Sequence, residues 1–442
     1  MSRLHRALSL FSLLITISWP GLGWSQQAQM SSIERGNAQD MLKIVAAEIK
    51  KHYYDPKFHG VDWDAKVAET KQKIASANSF NLAMAHIAAM IDQLNDSHTF
   101  MLPPRHAYRF EAGFRYQMVG NQCFITHVRP ESDADTKGLK PGDEILAING
   151  YDVTREVLWK MQYGFTVLRP QPVLSLSLRS PAGAQRELQV GAKIRQEKLI
   201  TNLTAPGGGD IFDIIREIEN EQHLMRTRYL EFPEKLLVIR LPVFALSATE
   251  VGSLVGKARK YPAVILDLRG NGGGAASTLK YLVGGMFDHD VKVADRIGRK
   301  ESKPEIGKTI HNAFSGKLIV LVDSQSASAS EMFARVVQLE KRGLVFGDVS
   351  SGSVMEAMHY LERMGADTII IFGVSITESN LVMADGNSLE HRGVTPDKVL
   401  LPTADDLAAG RDPVLATAAE ALGVTLSPEQ AGKAFPYEWL QE

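Results

Sequence analysis

Residues 263–275 read AVILDLRGNGGGA, an apolar run that leads directly into a glycine-rich turn. The run predicts a buried strand at 263–268, and further apolar runs at 236–239, 318–322 and 368–372 predict strands of the same kind. Helical patterns separate these runs along the chain. The alternation of strands and helices from 235 to 400 therefore predicts an α/β domain around a largely buried sheet.

The residues upstream of this domain have a different pattern. Short β-like runs occur at 123–128, 144–148 and 173–178, and the segment 138–150 reads GLKPGDEILAING. Its Pro-Gly and Asn-Gly pairs mark tight turns around a short buried strand. This region, 112–195, resembles a PDZ domain, which would bind an extended peptide as an added strand. A small β-barrel without a ligand is the alternative.

The remaining segments complete a multidomain plan of mixed α+β and α/β class. Apolar residues at three- and four-residue spacing predict a helical N-terminal domain over 31–100, which ends in the polar cluster NDSHT at 95–99. A polar, glycine-rich linker region is predicted at 196–234, with PGGG at 206–209. Residues 401–442 predict a polar, alanine-rich helical tail without chemistry of its own.

The composition limits the function classes. The chain of 442 residues is 44% hydrophobic and 23% charged, with 36 Gly and 19 Pro, which excludes a disordered or fibrous protein. A formal net charge of −2 gives no excess of basic residues for nucleic acid. No His-Glu-x-x-His spacing occurs, so we expect neither a metal nor a cofactor. The single cysteine, Cys123, falls in a predicted PDZ strand and is expected to pack there.

Residues 1–25 have the pattern of a secretory signal peptide. Arg3, His5 and Arg6 precede a mostly apolar run, which is followed by small residues. An N-terminal membrane anchor is the alternative, although the apolar run is short and is broken by Pro20. Removal of this segment takes away two Arg and no acid, so the formal net charge falls from −2 to about −4. Without disulfides, the pattern predicts an exported bacterial protein, periplasmic or secreted, with no integral membrane segment.

A serine-rich loop follows the predicted strand at 318–322. It reads DSQSASASE over 323–331 and continues as a helix. A serine at such a junction can present its hydroxyl at the positive end of the helix, where backbone N–H groups stabilise an oxyanion. Ser328-x-x-Glu331 is also a capping box, so a purely structural role for this serine stays open.

The glycine-rich turn would let a ligand approach the backbone closely. Gly270-x-Gly272-x-x-Ala275 formally matches a dinucleotide-binding fingerprint. Asp288, the acidic residue at a plausible distance, lies in a polar turn and not at the end of a second strand. No phosphate-binding Gly-Lys-Ser/Thr motif is present, so nucleotide binding is disfavoured.

Taken together, these motifs resemble the C-terminal processing peptidase and tricorn protease superfamily. The resemblance rests on LDLRGNGGG at 266–274, SASASE at 326–331, the upstream PDZ-like module and DSHT at 96–99, and it covers about 35–410. It implies a serine peptidase with a crotonase-like ββα catalytic core. In the processing peptidases the middle serine pairs with a Lys in a downstream segment. Here that segment reads GDVSSGS and has Ser353 at the Lys position, so the Ser-Lys dyad is absent.

The tricorn-like branch uses a different set of residues, and this chain can supply all of them. The resemblance assigns Ser328 as nucleophile, His98 as general base, Ser97 as the residue that orients His98, and Glu390 as the acceptor behind it. Glu390 precedes the GVTPD motif that the branch carries. The oxyanion donors map onto the backbone amides of Gly274 and Ala329.

Each assignment has a simpler structural alternative. His98 could cap the preceding helix, Ser97 could be an N-cap, and Glu390 could be a solvated turn residue, while His391 is a rival for the base. The sequence therefore predicts an exported serine peptidase acting on polypeptides or peptides, whose PDZ module docks substrate or gates the site. The alternative is a non-catalytic peptide- or small-ligand-binding protein on the same fold, since the superfamily includes retinoid-binding proteins.

Overall fold

The computed structural model describes residues 30–196, 224–365 and 369–440. The predicted signal segment at 1–25 and the glycine-rich stretch at 206–209 lie outside the described residues. Within the described ranges, no helix is long and apolar enough to cross a membrane.

Three helices open the described chain and pack against a sheet. They are α1 (Ser32–His52), α2 (Trp63–Ser76) and α3 (Phe80–Ile91). Ser31 and Glu34 form the capping box that begins α1. The apolar faces of the helices share one core with Phe372 and Val374, which belong to a strand far along the chain. The helical segment is thus one layer of a larger unit.

The PDZ-like module follows as a small sheet with two helices. The elements of this region are β1 (Phe100–Leu102), β2 (Tyr108–Glu111), β3 (Phe114–Val119), β4 (Gln122–Val128), α4 (Asp133–Thr136), β5 (Glu144–Ile148), β6 (Tyr151–Asp152), α5 (Arg155–Tyr163), β7 (Val173–Arg179), β8 (Gln185–Gly191) and β9 (Lys193–Gln196). The strand order of the module is β3-β4-β5-β7-β8, with β6 paired to β5. Cys123 on β4 is 2% exposed and packs in the module core, as predicted.

The predicted α/β domain contains a six-stranded sheet. The elements of this region are β10 (Arg228–Phe232), β11 (Leu236–Arg240), α6 (Ala248–Ala258), β12 (Ala263–Asp267), α7 (Ala276–Met286), β13 (Val291–Gly298), β14 (Glu305–Gly307), β15 (Lys317–Val322), α8 (Ala329–Leu339), β16 (Leu344–Gly347), β17 (Met355–Met364), β18 (Ile370–Met383) and β19 (Lys398–Val399). The strand order of the sheet is β10-β11-β12-β15-β16-β19. Strands β11, β12, β15, β16 and β19 are parallel, and β10, which lies in the predicted linker region, pairs antiparallel with β11 at the edge.

A second sheet is built around the long strand β18. This strand pairs with β1, β13 and β17, and it covers 14 residues where the sequence predicts only a short run ending at 372. Ser375, Thr377 and Ser379 are fully or almost fully buried along it. Because these buried hydroxyls interrupt the apolar run, the sequence pattern does not predict most of the strand.

The C-terminal helices cover one face of the parallel sheet. They are α9 (Ala404–Ala408), α10 (Pro413–Ala421) and α11 (Pro428–Ala434). Alternate residues of β11, such as Leu236 and Val238, face α10, while Leu237 and Ile239 face α6 and α7. The tail is thus a packing layer of the parallel sheet.

The packing of this helical layer leads to a prediction for the free energy of unfolding. Leu415 on α10 is 0% exposed within the core under the sheet, so Leu415→Ala is expected to cost about 2–5 kcal/mol through lost burial and a cavity. Urea unfolding followed by tryptophan fluorescence measures the change. Leu401, which is 41% exposed, provides the control, because Leu401→Ala is expected to change the unfolding free energy by less than about 0.5 kcal/mol. Equal effects of the two variants would contradict the described packing.

Candidate active site

Ser328 occupies a sharp turn between β15 and α8. It is the N-cap residue of α8 and has φ 55° and ψ −116°, a backbone conformation that costs energy for any residue with a side chain. Two contacts hold this conformation, since the Ser328 N–H donates to the Ser353 carbonyl at 2.8 Å and to Glu331 Oε2 at 2.9 Å. A strained serine at a strand-to-helix turn is the geometry of a nucleophile elbow.

The glycine-rich turn after β12 lies directly against Ser328. A Cβ placed on Gly273 would lie 2.7 Å from the Ser328 Cβ and 2.9 Å from the Ala327 carbonyl oxygen. One placed on Gly274, which has φ +141°, would lie 2.3 Å from the Phe244 carbonyl oxygen. Only glycine allows this approach, and it brings the amides of the turn to Ser328.

Two backbone donors beside Ser328 are unused. Among the hydrogen bonds of the described chain, none employs the N–H of Gly274 or of Ala329. Ala329 is the first residue of α8, so its N–H lies at the positive end of the helix dipole. A pair of free amides next to a serine hydroxyl can stabilise negative charge on an oxygen bound between them.

His98, Ser97 and Glu390 form one hydrogen-bonded chain. The Ser97 Oγ donates to Glu390 Oε2 at 2.9 Å and lies 2.7 Å from His98 Nδ1, while the Ser97 N–H donates to Glu390 Oε1 at 2.8 Å. Because the hydroxyl proton points to the carboxylate, the Ser97 oxygen accepts from a protonated His98 Nδ1. The other ring nitrogen, Nε2, then has a free lone pair and can act as a base.

Asp96 sets the backbone around His98. Its Oδ1 accepts from the N–H of His98 at 3.0 Å and from that of Thr99 at 2.7 Å. Burial lowers the pKa of His98 below its ordinary value, against the opposing charges of Glu390 and Asp96. The imidazole is therefore neutral near pH 7, as a general base requires. Sequence reasoning missed Asp96, although an Asp two residues before a His in a polar cluster is the signal of an Asx turn.

The segment at the position of the processing-peptidase lysine connects the two halves of the site. The Val354 N–H donates to Glu390 Oε2 at 2.8 Å, and the Ser353 carbonyl accepts from Ser328. The Ser353 hydroxyl bonds to that of Ser351 at 2.9 Å. In the described ranges the hydrogen bonds link His98 to Ser97 and not to Ser328. The rival His391 has its Nε2 3.0 Å from the Asn95 carbonyl oxygen.

Family models match two parts of the chain. The model described as "Peptidase family S41" matches residues 235–400, and the model "PDZ domain" matches residues 105–156. These matches, with the relatives below, support the C-terminal processing peptidase superfamily that the sequence motifs indicate. The predicted fold class is confirmed, because the chain has mixed helices and sheets with a PDZ domain and an S41 peptidase core.

Two curated relatives are similar to this chain over most of its length. The tail-specific protease of Haemophilus influenzae is 24% identical over 388 residues, which cover 81% of this chain and 52% of that protein. The carboxyl-terminal-processing protease of Picosynechococcus is 23% identical over 380 residues, covering 82% of this chain and 83% of that protein. The first four relatives are matched over 30% to 63% of their own length.

Among solved structures, mature CPAF superimposes with a TM-score of 0.63 at 16% identity, covering 85% of this chain and 95% of that one. At this identity the match shows a shared fold.

Proposed function

We propose that the protein is a serine peptidase that hydrolyses peptide bonds through an acyl-enzyme on Ser328, with His98 as general base. The observation that carries the proposal is the chain of hydrogen bonds from Glu390 through Ser97 to His98, which leaves Nε2 as the free basic nitrogen. The strained turn at Ser328 and the two unused amides beside it support the same chemistry.

In the first half of the reaction, the Ser328 Oγ attacks the substrate carbonyl carbon while His98 Nε2 takes the hydroxyl proton. The N–H groups of Gly274 and Ala329 hold the negative charge that develops on the carbonyl oxygen. The bond to the leaving nitrogen then breaks, and His98 returns the proton to the amine. Through these steps Ser97 and Glu390 stabilise the positive imidazolium. The Ser97 oxygen accepts a hydrogen bond from Nδ1–H, and the bond that Ser97 donates to the Glu390 carboxylate makes this oxygen a stronger acceptor.

In the second half, water replaces the amine as the reacting partner. His98 takes a proton from the water as the water oxygen attacks the acyl carbon, and the same two amides hold the oxyanion. Collapse of this intermediate breaks the ester bond and returns the proton to Ser328. The branch of the superfamily is thus proposed to be the tricorn-like one, since Ser353 stands where a dyad lysine would provide the base.

Polypeptides are the proposed substrates, and the PDZ module is the proposed docking element. Within the described sheet of the module, β3 is an edge strand that pairs only with β4, so an extended peptide can add to its other side. The name of the Haemophilus relative, a tail-specific protease, supports docking of substrate C-terminal ends. An exported, periplasmic location is proposed from the signal-like segment at 1–25.

A fluorophosphonate probe tests the proposal on the purified protein. We expect the folded wild type to be labelled, and peptide mass mapping to place the label on Ser328. Ser253→Ala on α6 is the matched control, since this serine is exposed and bonds only within its own helix, at 3.0 Å to the Thr249 carbonyl. Absence of labelling in the folded wild type would favour a non-catalytic peptide- or ligand-binding protein on this fold.

A further inference from the structure

We infer that Glu331 is a positioning residue which, together with Glu390, fixes the nucleophile relative to the base through residues 350–354, here called the bridging segment. The inference rests on the proposed function and deepens it. It assigns a role in catalysis to a residue that the sequence identifies only as half of a capping box.

The Glu331 carboxylate is fully buried and accepts four hydrogen bonds. Its Oε1 accepts from the Ser350 hydroxyl and from the Gly352 N–H, both at 2.7 Å, and its Oε2 accepts from the N–H groups of Ser353 at 3.0 Å and Ser328 at 2.9 Å. A helix cap explains only the bond to Ser328. The other three donors belong to the bridging segment, so the carboxylate also anchors this segment beside the nucleophile.

Successive amides of the bridging segment are divided between two carboxylates. The N–H groups of Gly352 and Ser353 donate to Glu331, and the next one, that of Val354, donates to Glu390 Oε2 at 2.8 Å. Glu390 in turn holds Ser97, while the Ser353 carbonyl accepts from Ser328 at 2.8 Å. The bridging segment therefore connects Glu390 and Ser97, which support His98, to the turn at Ser328 through hydrogen bonds alone.

The chemistry of the carboxylate makes it hard to replace. All four of its partners are donors, and an ionised carboxylate is an acceptor at every lone pair. A glutamine side chain, or a protonated Glu331, would direct a hydrogen atom toward one of these donors and leave that donor buried without a partner. The bridging segment would then shift, and a displacement of about 1 Å at a reacting centre can cost about 100-fold in rate.

The ionisation of Glu331 gives a specific readout. Burial raises the pKa of Glu331 to about 7, against the four hydrogen bonds that lower it. The groups that face the carboxylate are the Ser350 hydroxyl and backbone amides, and the charged group at the far end of the segment is Glu390. His98 has a pKa below its ordinary 6.5. Reactivity of Ser328 should thus rise with pH through about 7 as Glu331 ionises, above the ionisation of His98.

The test measures the rate of fluorophosphonate labelling of the full chain as a function of pH. In Glu331→Gln we expect the rate at pH 8 to fall about 100-fold and the inflection near 7 to disappear, with circular dichroism unchanged. Glu250→Gln is the matched control, because Glu250 forms a capping box with Ser247 on α6 but is exposed and bonds nothing else that is described. Its rate and pH profile should equal those of the wild type.

A second variant keeps the inference testable if Glu331→Gln does not fold. Ser350→Ala removes one hydrogen bond that lowers the pKa of Glu331, so the inflection should move upward from about 7. A wild-type rate and profile in Glu331→Gln, or an unmoved inflection in Ser350→Ala, would overturn the positioning role while the peptidase proposal stood. Absence of labelling in the wild type would instead overturn the peptidase proposal, and the positioning role with it.

Discussion

Ser328→Ala is expected to lower the rate of peptide hydrolysis by about 10⁶-fold. The hydroxyl is the only group in the proposed mechanism that bonds covalently to the substrate, so no neighbouring side chain compensates for its loss. Alanine removes one oxygen and leaves the turn intact, because its two backbone anchors, to Ser353 and Glu331, use the N–H and not the side chain. The loss should therefore appear in kcat and leave KM largely unchanged.

Digestion of fluorescein-labelled casein by the purified variant measures this effect, with Ser253→Ala as the control for expression and handling. Thermal unfolding of the two variants should agree to within a few degrees. Activity of Ser328→Ala within tenfold of the wild type would contradict the assignment of the nucleophile and direct attention to the other hydroxyls of the 326–331 motif.

His98→Ala is expected to lower the same rate by about 10⁴- to 10⁶-fold, because Ser328 loses the base that takes its proton. Groups that act as a unit are not additive, so the double variant Ser328→Ala, His98→Ala should be no slower than Ser328→Ala alone. Ser97→Ala leaves His98 in place but removes the hydroxyl between Nδ1 and Glu390, so its effect should be smaller.

Steady-state kinetics measure this series on the wild type and on the four variants, which are Ser328→Ala, His98→Ala, the double variant and Ser97→Ala. His391→Ala is the comparison, because His391 is the rival histidine. Its Nε2 lies 3.0 Å from the Asn95 carbonyl oxygen and 3.6 Å from Glu390 Oε1, and no hydrogen bond of the described residues joins its ring to Ser97 or Ser328. The rival assignment would gain support if His391→Ala, and not His98→Ala, abolished activity.

The sequence predicts the strands of the parallel sheet well because each is an unbroken apolar run. Leu236, Ala263 and Leu318 lie in strands close to their predicted limits. The apolar pattern does not predict most of β18, because the buried hydroxyls of this strand form hydrogen bonds with distant residues. Thr377, for example, donates to Asp96 Oδ1 at 2.8 Å. Local pattern carries no information on such a distant partner.

The residues of the candidate site show the same contrast between local patterns and contacts that are distant in sequence. Ser97 and Glu390 are 293 residues apart in sequence, and only the resemblance to a known family suggests that they meet. Glu331 illustrates the opposite case, since its local motif, a capping box, is real but accounts for one of its four hydrogen bonds. Its contacts with the bridging segment come from tertiary packing, which spacing along the chain does not encode.

The lone thiol of the chain provides a reporter of one module. Cys123 is buried in the PDZ core, and burial raises its pKa to about 12, so almost no reactive thiolate exists in the closed module at pH 8. A thiol-reactive dye will therefore react only as fast as the module opens. Because no second cysteine competes for the dye, the labelling rate in increasing urea gives the opening free energy of the PDZ module alone, in the intact chain and without any engineered probe.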